Sequence, residues 1–227
     1  MFSGYKNFYN EMAILQSNSL MKKALKTMDL TVSYYDEGKY LTTDIYKSAP
    51  FKVVIDTIAV QPVSTKFFLK FISNKSFQLK IEGEKVDLFN YGINKVVNTL
   101  PVLSINKEYG IGDMIIIGDI RFKVFLNENF NNEVIGNQYS FVFENPANLA
   151  FPIFELEPVS EKASIVNISM KGENVAKLED FLNQLSRAYI DREMEKKNRT
   201  AISTIAFIED QLDMIKDSLL YAEDALI

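Results

Sequence analysis

The last quarter of the chain, residues 173–227, constrains the fold more than any other stretch. It contains neither glycine nor proline, since the last glycine is Gly172 and the last proline is Pro158. At a rise of about 1.5 Å per residue, one unbroken helix over this stretch would be ~80 Å long. A compact domain of this chain's length has a radius of gyration of ~17 Å and is only ~45 Å across. We therefore expect a helix that protrudes from its own domain.

The second half of this helix carries a heptad repeat. Its apolar residues recur at alternating spacings of three and four, which is the a/d pattern of a coiled coil. Each large side chain would contribute about 1.5–3 kcal/mol if fully buried, whereas a seam left in water would favour aggregation. The pattern predicts a partner helix along this seam. The seam residues are Ile205, Ile208, Leu212, Ile215, Leu219, Ala222 and Leu226.

The end of the chain lacks the usual helix stop signals. Residues 224–227 contain no glycine, no proline and no basic last turn. We expect the natural protein to continue beyond Ile227 into a helix that returns along the seam, so that residues 191–227 form the ascending half of a helical hairpin.

Composition excludes several classes of function. A net charge of −5 argues against nucleic acid as the main partner, because phosphate binding needs a basic surface. The chain has no cysteine and no histidine, which excludes disulfides and removes the commonest zinc ligand and general base. No run approaches the ~20 apolar residues of a membrane span, and no signal peptide opens the chain. Any membrane anchor is expected outside this chain.

The pattern of the first 60 residues predicts helix followed by strands. Residues 10–28 carry a helical apolar stripe, with Ser17 or Ser19 able to cap a break. Residues 30–46 alternate as strands around a turn at 36–38, and residues 51–56 form another strand.

The segment 30–46 is rich in tyrosine. Stacking on sugar rings and ordinary packing in a hairpin are both open for these residues. The glycan-contact candidates are Tyr34, Tyr35 and Tyr40.

Residues 60–143 read as short alternating strands separated by turn residues, which is typical of a small antiparallel sandwich. Residues 144–148 predict a turn and a short helix, and residues 154–156 and 163–170 predict two further strands. The whole is of the α+β class, with residues 1–59 and 144–190 as the base, 60–143 as an inserted β-sandwich and 191–227 as a protruding helix. Asn174 is the expected N-cap of the long helix, residues 181–189 its buried stripe and residues 191–200 a polar neck.

No catalytic, cofactor-binding or metal site is predicted. Without cysteine and histidine, the common nucleophile–base sets are impossible. Residues 110–113 read Gly-Ile-Gly-Asp, but the third glycine of a dinucleotide fingerprint is missing, so we interpret them as a turn. No phosphate loop is present.

Several segments near the two ends of the chain are similar to those of a known family. The C-terminal segments are DFLN at 180–183, YI at 189–190, EKKNRTA at 195–201, TIAFI at 204–208 and QL at 211–212. The N-terminal ones are NEMAILQS at 10–17, SLMKKAL at 19–25, YY at 34–35 and APFKV at 49–53. These segments resemble the Wzz-type chain-length determinant family, and in particular the periplasmic region of the Wzc-type polysaccharide tyrosine autokinases. The resemblance covers about residues 7–58 and 140–227, and the middle sandwich is similar to a β insertion of the Bacteroidetes type.

The resemblance implies a Wzz-like base with a long protruding helix, in the periplasmic domain of a bacterial inner-membrane protein. Family members are anchored by two transmembrane helices and assemble as homo-oligomeric rings, often octamers, beside the polysaccharide polymerase and export machinery. They regulate the length and export of capsular or exopolysaccharide. The autokinase members add a cytoplasmic tyrosine kinase domain, but none of its motifs lies in this chain, so the resemblance assigns no kinase activity to any residue here.

Two alternatives remain open from the sequence. In the first, the sandwich is a carbohydrate-binding module and the helix is its stalk. In the second, the chain is a periplasmic adaptor of an efflux or secretion system, although such adaptors hold a complete helical hairpin within the chain, and only half of one is seen here.

Overall fold

The computed structural model describes residues 3–160 and 165–224. It confirms the α+β class predicted from the sequence, with one large, mostly antiparallel sheet and a long C-terminal helix. The helices are α1 (Ser3–Leu15), α2 (Asn18–Thr27) and α3 (Val175–Asp224). The strands are β1 (Val32–Glu37), β2 (Thr42–Asp44), β3 (Phe51–Ile55), β4 (Val60–Pro62), β5 (Lys66–Phe71), β6 (Ser76–Asn90), β7 (Lys95–Gly110), β8 (Met114–Ile117), β9 (Ile120–Leu126), β10 (Gln138–Phe143), β11 (Phe154–Pro158) and β12 (Val166–Met170).

The chain divides into two compact units. A helical unit comprises Met1–Ala24 and Asn183–Ile227, and a β unit comprises Leu25–Leu182. Helix α3 begins in the β unit and continues in the helical unit.

The β unit is built on a ten-stranded sheet. Eight strands follow the order β2-β1-β10-β5-β6-β4-β9-β3, while β7 pairs with β6 and β8 with β9. Strand β3 pairs antiparallel with β9 from Phe51↔Leu126 to Ile55↔Phe122, and β1 pairs with β10. Strands on both sides of residue 60 therefore share one sheet. Strands β11 and β12 form a separate antiparallel pair.

Alternate residues of these strands point into one aromatic core. Phe67 of β5 stacks on Phe141 of β10, with 4.8 Å between the ring centroids, and meets Phe122 of β9 edge-on with the centroids 5.5 Å apart. Phe51 of β3 also meets Phe141 edge-on, with 6.2 Å between the centroids. Since β3 lies at one end of the strand order and β10 near the other, the sheet must fold back on itself to enclose these rings.

Strand β6 turns the corner of this sheet. Its first half pairs with β5 and its last residues pair with β4. Between the two halves, Lys85 has a left-handed φ of 52° and lies opposite Pro101, which has no N–H to donate. The nearby Gly83 leaves no room for a side chain, because a Cβ there would lie 2.8 Å from Cγ2 of Val86. The strand therefore bends where these residues interrupt its regular pairing.

The helical unit has a small apolar core with polar links around it. Leu20, Met21 and Ala24 of α2 are buried, as are Leu185 and Ala188 of α3. The hydroxyl of Tyr189 donates to Oε2 of Glu11 at 2.8 Å, and Nζ of Lys23 lies 3.5 Å from Oε1 of Glu195. The break between α1 and α2 is capped by Ser17, whose Oγ accepts from the N–H of Leu20 at 3.4 Å, as the sequence predicted.

Helix α3 is continuous over 50 residues, which corresponds to a length of about 75 Å. It begins where the sequence predicted, since Oδ1 of Asn174 accepts from the N–H of Lys177 at 3.0 Å. Among the described helices, none is both long and apolar enough to cross a membrane.

Candidate functional site

The predicted seam lies on a fully exposed part of α3. Every residue from 194 to 219 is exposed. The five described seam residues with large side chains are each between 51% and 61% exposed, whereas Leu226 lies outside the described residues. These five are Ile205, Ile208, Leu212, Ile215 and Leu219.

A second apolar stripe runs beside the seam. Phe207 and Met214 are exposed and lie seven residues apart, about 100° around the helix from Ile208 and Ile215. The a/d pattern does not include this stripe, although the seven-residue spacing of Phe207 and Met214 is a signal in the sequence that could have revealed it.

The seam and the second stripe together form one uncharged face of α3. It spans about 180° of the helix and contains no charged residue between positions 204 and 219. Two of its hydroxyl groups bond to the helix backbone, since Oγ1 of Thr204 donates to the carbonyl of Thr200 at 2.9 Å and Oγ of Ser218 to that of Met214 at 2.8 Å. The face is therefore less polar than its composition suggests. Its residues are Thr204, Ile205, Phe207, Ile208, Gln211, Leu212, Met214, Ile215, Ser218 and Leu219.

All the charged residues of this segment lie on the other side of the helix. Four acidic residues and one lysine give this side a formal charge of −3 (four negative, one positive). Burial of the uncharged face would leave these charges in water, so the arrangement suits a contact that desolvates one side only. The charged residues are Glu209, Asp210, Asp213, Lys216 and Asp217.

The three candidate glycan-contact tyrosines do not come together. The hydroxyl of Tyr34 accepts from the N–H of Val53 at 3.0 Å and its ring packs edge-on against Phe51, so it belongs to the core. Burial raises the pKa of Tyr34 to about 12. Tyr40 is 90% exposed beyond the end of β1. Tyr35, which projects from the opposite face of β1 to Tyr34, lines a cavity.

This Tyr35 cavity has a volume of about 300 Å³ and lies within the β unit. Its walls come from the end of α2, from β1, from the loop that follows β10, from β12 and from the first turns of α3. Most of the walls are apolar. Representative wall residues are Met28, Leu30, Pro152, Met170 and Phe181.

Polar groups also face the Tyr35 cavity. Burial raises the pKa of Tyr35, and the negative charge of the nearby Glu144 carboxylate adds to this rise. The backbone of Glu144 is held on both sides, because its N–H donates to the carbonyl of Thr31 at 2.9 Å and its carbonyl accepts from the hydroxyl of Tyr91 at 2.6 Å. Among the described residues, the Glu144 carboxylate itself has no hydrogen bond or ion pair. Lys177, which also lines the cavity, is ion-paired to Asp44 at 2.8 Å.

A polar network holds the start of α3 against the end of β2 and the segment that follows it. Besides the pair of Asp44 and Lys177, the ammonium group of Lys47 is ion-paired to Asp180. The hydrogen bond from Lys47 is the main reason why the pKa of Asp180 is lowered. Burial, together with the nearby Asp180 carboxylate, raises the pKa of Tyr46. This network fixes the first turns of α3, and with them one wall of the Tyr35 cavity.

No grouping of three carboxylates suited to a metal ion is found in the ranges that the structure describes. No protein-family model matches this chain, and no curated protein is detectably similar to it.

Proposed function

We propose that this chain is a non-catalytic scaffold that associates with further copies of itself through the uncharged face of α3. The observation that supports this most directly is the exposure of five large aliphatic side chains at heptad spacing on one helix. At about 1.5–3 kcal/mol for each fully buried side chain, burial of this seam is a sufficient driving force for association.

The width of the uncharged face favours more than one neighbour. An a/d seam alone is a narrow stripe that serves one partner helix. Here Phe207 and Met214 extend the apolar surface about 100° away from Ile208 and Ile215. A second helix can pack on this stripe while the first covers the seam, which leads to assemblies larger than a pair.

The resemblance to Wzz-type proteins gives this scaffold a biological setting. We propose that the chain belongs to the periplasmic region of a polysaccharide co-polymerase and helps to regulate polymer length and export. Its parent protein would be held in the bacterial inner membrane by segments outside this chain. Three features support this assignment. They are the long helix, its exposed seam, and the similar segments at residues 7–58 and 140–227.

The association is tested by light scattering coupled to size-exclusion chromatography. We expect the full chain to form assemblies whose mass falls to that of one chain in the double variant Ile208→Asp, Ile215→Asp. The matched control, Ile202→Asp with Ala206→Asp, adds the same charge to the charged side of α3 and should leave the mass unchanged. An unchanged mass in the first variant, or an equal loss in both, contradicts the proposed contact.

The polysaccharide role is tested in the native host with the same two variants introduced into the parent gene. Loss of the seam should shift the length distribution of the surface polysaccharide on gels, and the control should not. An unchanged distribution in cells where the seam variant no longer assembles would exclude this role.

A further inference from the structure

The Tyr35 cavity combines an apolar wall with polar groups of every hydrogen-bonding type. Glu144 offers only acceptors and Lys177 only donors, whereas Ser33, Tyr35 and Asn148 can do both. The Glu144 carboxylate has no partner among the described residues, so it is free to accept from a ligand. The cavity therefore presents a mixed set of polar groups beside its apolar walls.

This mixture discriminates between classes of ligand. A simple hydrocarbon would remove five polar side chains from water without giving them partners, which is unfavourable. An anion would meet the unpaired negative charge of Glu144. An amine can pair with Glu144, but a single ammonium group leaves Ser33, Tyr35 and Asn148 without partners. Hydroxyl groups both donate and accept, so a neutral ring with several hydroxyls and an apolar C–H face satisfies both the walls and the polar groups.

The volume limits the size of this ligand. About 300 Å³ lies at the lower end of the range for small-molecule pockets, which is roughly 300–1,000 Å³. The walls are also held in place, because Glu144 is fixed through its backbone and Lys177 through Asp44. The loop that follows Glu144 is held as well, since the N–H of Ala147 donates to Oδ1 of Asn145 at 3.0 Å.

We propose that the Tyr35 cavity binds a single neutral sugar ring, with Glu144 accepting from its hydroxyls and Lys177 donating to them. The site lies within the β unit and does not depend on the uncharged face of α3. Sugar binding and self-association can therefore fail separately, since they are measured by different signals.

The test is a titration of the full chain, carrying ¹³C-methyl methionine, with methyl glycosides of glucose, galactose and mannose. Two of the eight methionines, Met28 and Met170, line the cavity, so their methyl signals report on it while the others serve as internal references. We expect at least one glycoside to shift both signals saturably at concentrations up to about 50 mM, well above a weak dissociation constant of about 1 mM. Butylamine, butyrate and cyclohexanol should shift them less, cyclohexanol because it has a six-membered ring with only one hydroxyl.

Two variants show whether the binding uses the proposed groups. Glu144→Gln should raise the dissociation constant of the binding glycoside about tenfold, because the ligand loses a charged acceptor. Its matched control, Glu133→Gln, changes an exposed glutamate outside the cavity and should leave the constant unchanged. Ala150→Leu places extra bulk on the cavity wall and should abolish the shifts, and thermal melting of each variant checks that it is folded.

Three results would overturn the proposal. These are an absence of saturable shifts with every glycoside, equal or tighter binding of butylamine, butyrate or cyclohexanol, and glycoside binding that is unaffected in both folded cavity variants.

Discussion

The side-chain amide of Asn174 donates to the backbone carbonyl of Asp44 over 2.8 Å, while its Oδ1 accepts from the N–H of Lys177. One residue thus caps α3 and ties its first turn to the end of β2. The start of a helix about 75 Å long is in this way held by the sheet that precedes it in the chain.

Replacement of Asn174 by alanine should lower the free energy of unfolding by about 1–2 kcal/mol, because the cap and the bond to Asp44 are both lost. Urea denaturation followed by circular dichroism measures this. Asn198→Ala, in the exposed middle of α3, is the matched control and should be neutral or slightly stabilising, since alanine is the better helix former. Equal effects of the two changes would show that Asn174 has no special part in holding the helix.

The aromatic core should be sensitive to the loss of Phe67. This ring is fully buried and contacts Phe122, Phe141 and Phe143. Phe67→Ala leaves a cavity and should cost about 3–5 kcal/mol of stability, as measured by the midpoint of urea unfolding. Phe125→Ala removes a ring that is 40% exposed and should cost clearly less. A small effect at Phe67 would mean that the core can collapse around the missing ring.

The stability of the β unit should fall in acid because of Glu37. Burial alone would raise the pKa of Glu37, but hydrogen bonds from Ser140, Lys66 and Thr42 outweigh it and lower the pKa below the ordinary value of 4.5. Since the folded state favours the ionised form, this contribution to stability is present above pH 4.5 and is lost as the pH falls through the lower folded pKa.

Glu37→Gln should therefore lower stability at neutral pH by about 1–2 kcal/mol and flatten its decline in acid. Urea unfolding at a series of pH values between neutrality and acid is the measurement. Glu108→Gln, at an exposed site on β7, should keep the acid dependence of the unmodified chain. If the Glu37 variant also keeps it, another group is responsible for the acid loss.

The second stripe of α3 should control the size of the assembly rather than its existence. Phe207→Ser combined with Met214→Ser leaves the a/d seam intact, so we expect pairs of chains in place of larger assemblies. Light scattering distinguishes the two. Complete dissociation would show that the two stripes form a single contact, and an unchanged mass would show that the second stripe is not used.

Periodicity along the chain was enough to predict the local elements. The cap at Asn174, the break at Ser17 and the turn at residues 110–113 are local patterns of a few residues, and the structure confirms each of them. The heptad spacing of Ile205 to Leu219 is also a local pattern, and these residues lie exposed on one continuous helix. The predicted short helix after Glu144 was wrong, since a simple turn follows β10 there. A five-residue segment with Pro146 in its middle has too few backbone bonds to sustain a helix.

The pairing of segments that lie far apart in the sequence could not be predicted in the same way. Strand pairing is specified by packing between segments that are far apart, so the sequence did not show that β3 joins β9 in the same sheet as β5 and β10. Nor did it distinguish Tyr35 from Tyr34 and Tyr40 as the residue that lines a cavity. By itself, the sequence determined the helix α3, its cap and its apolar seam, because these depend on spacing within single turns. Only the tertiary structure decided where Tyr35, Glu144 and Lys177 meet, because contacts such as that of Lys177 with Asp44, 133 positions apart, exist only once the sheet has closed.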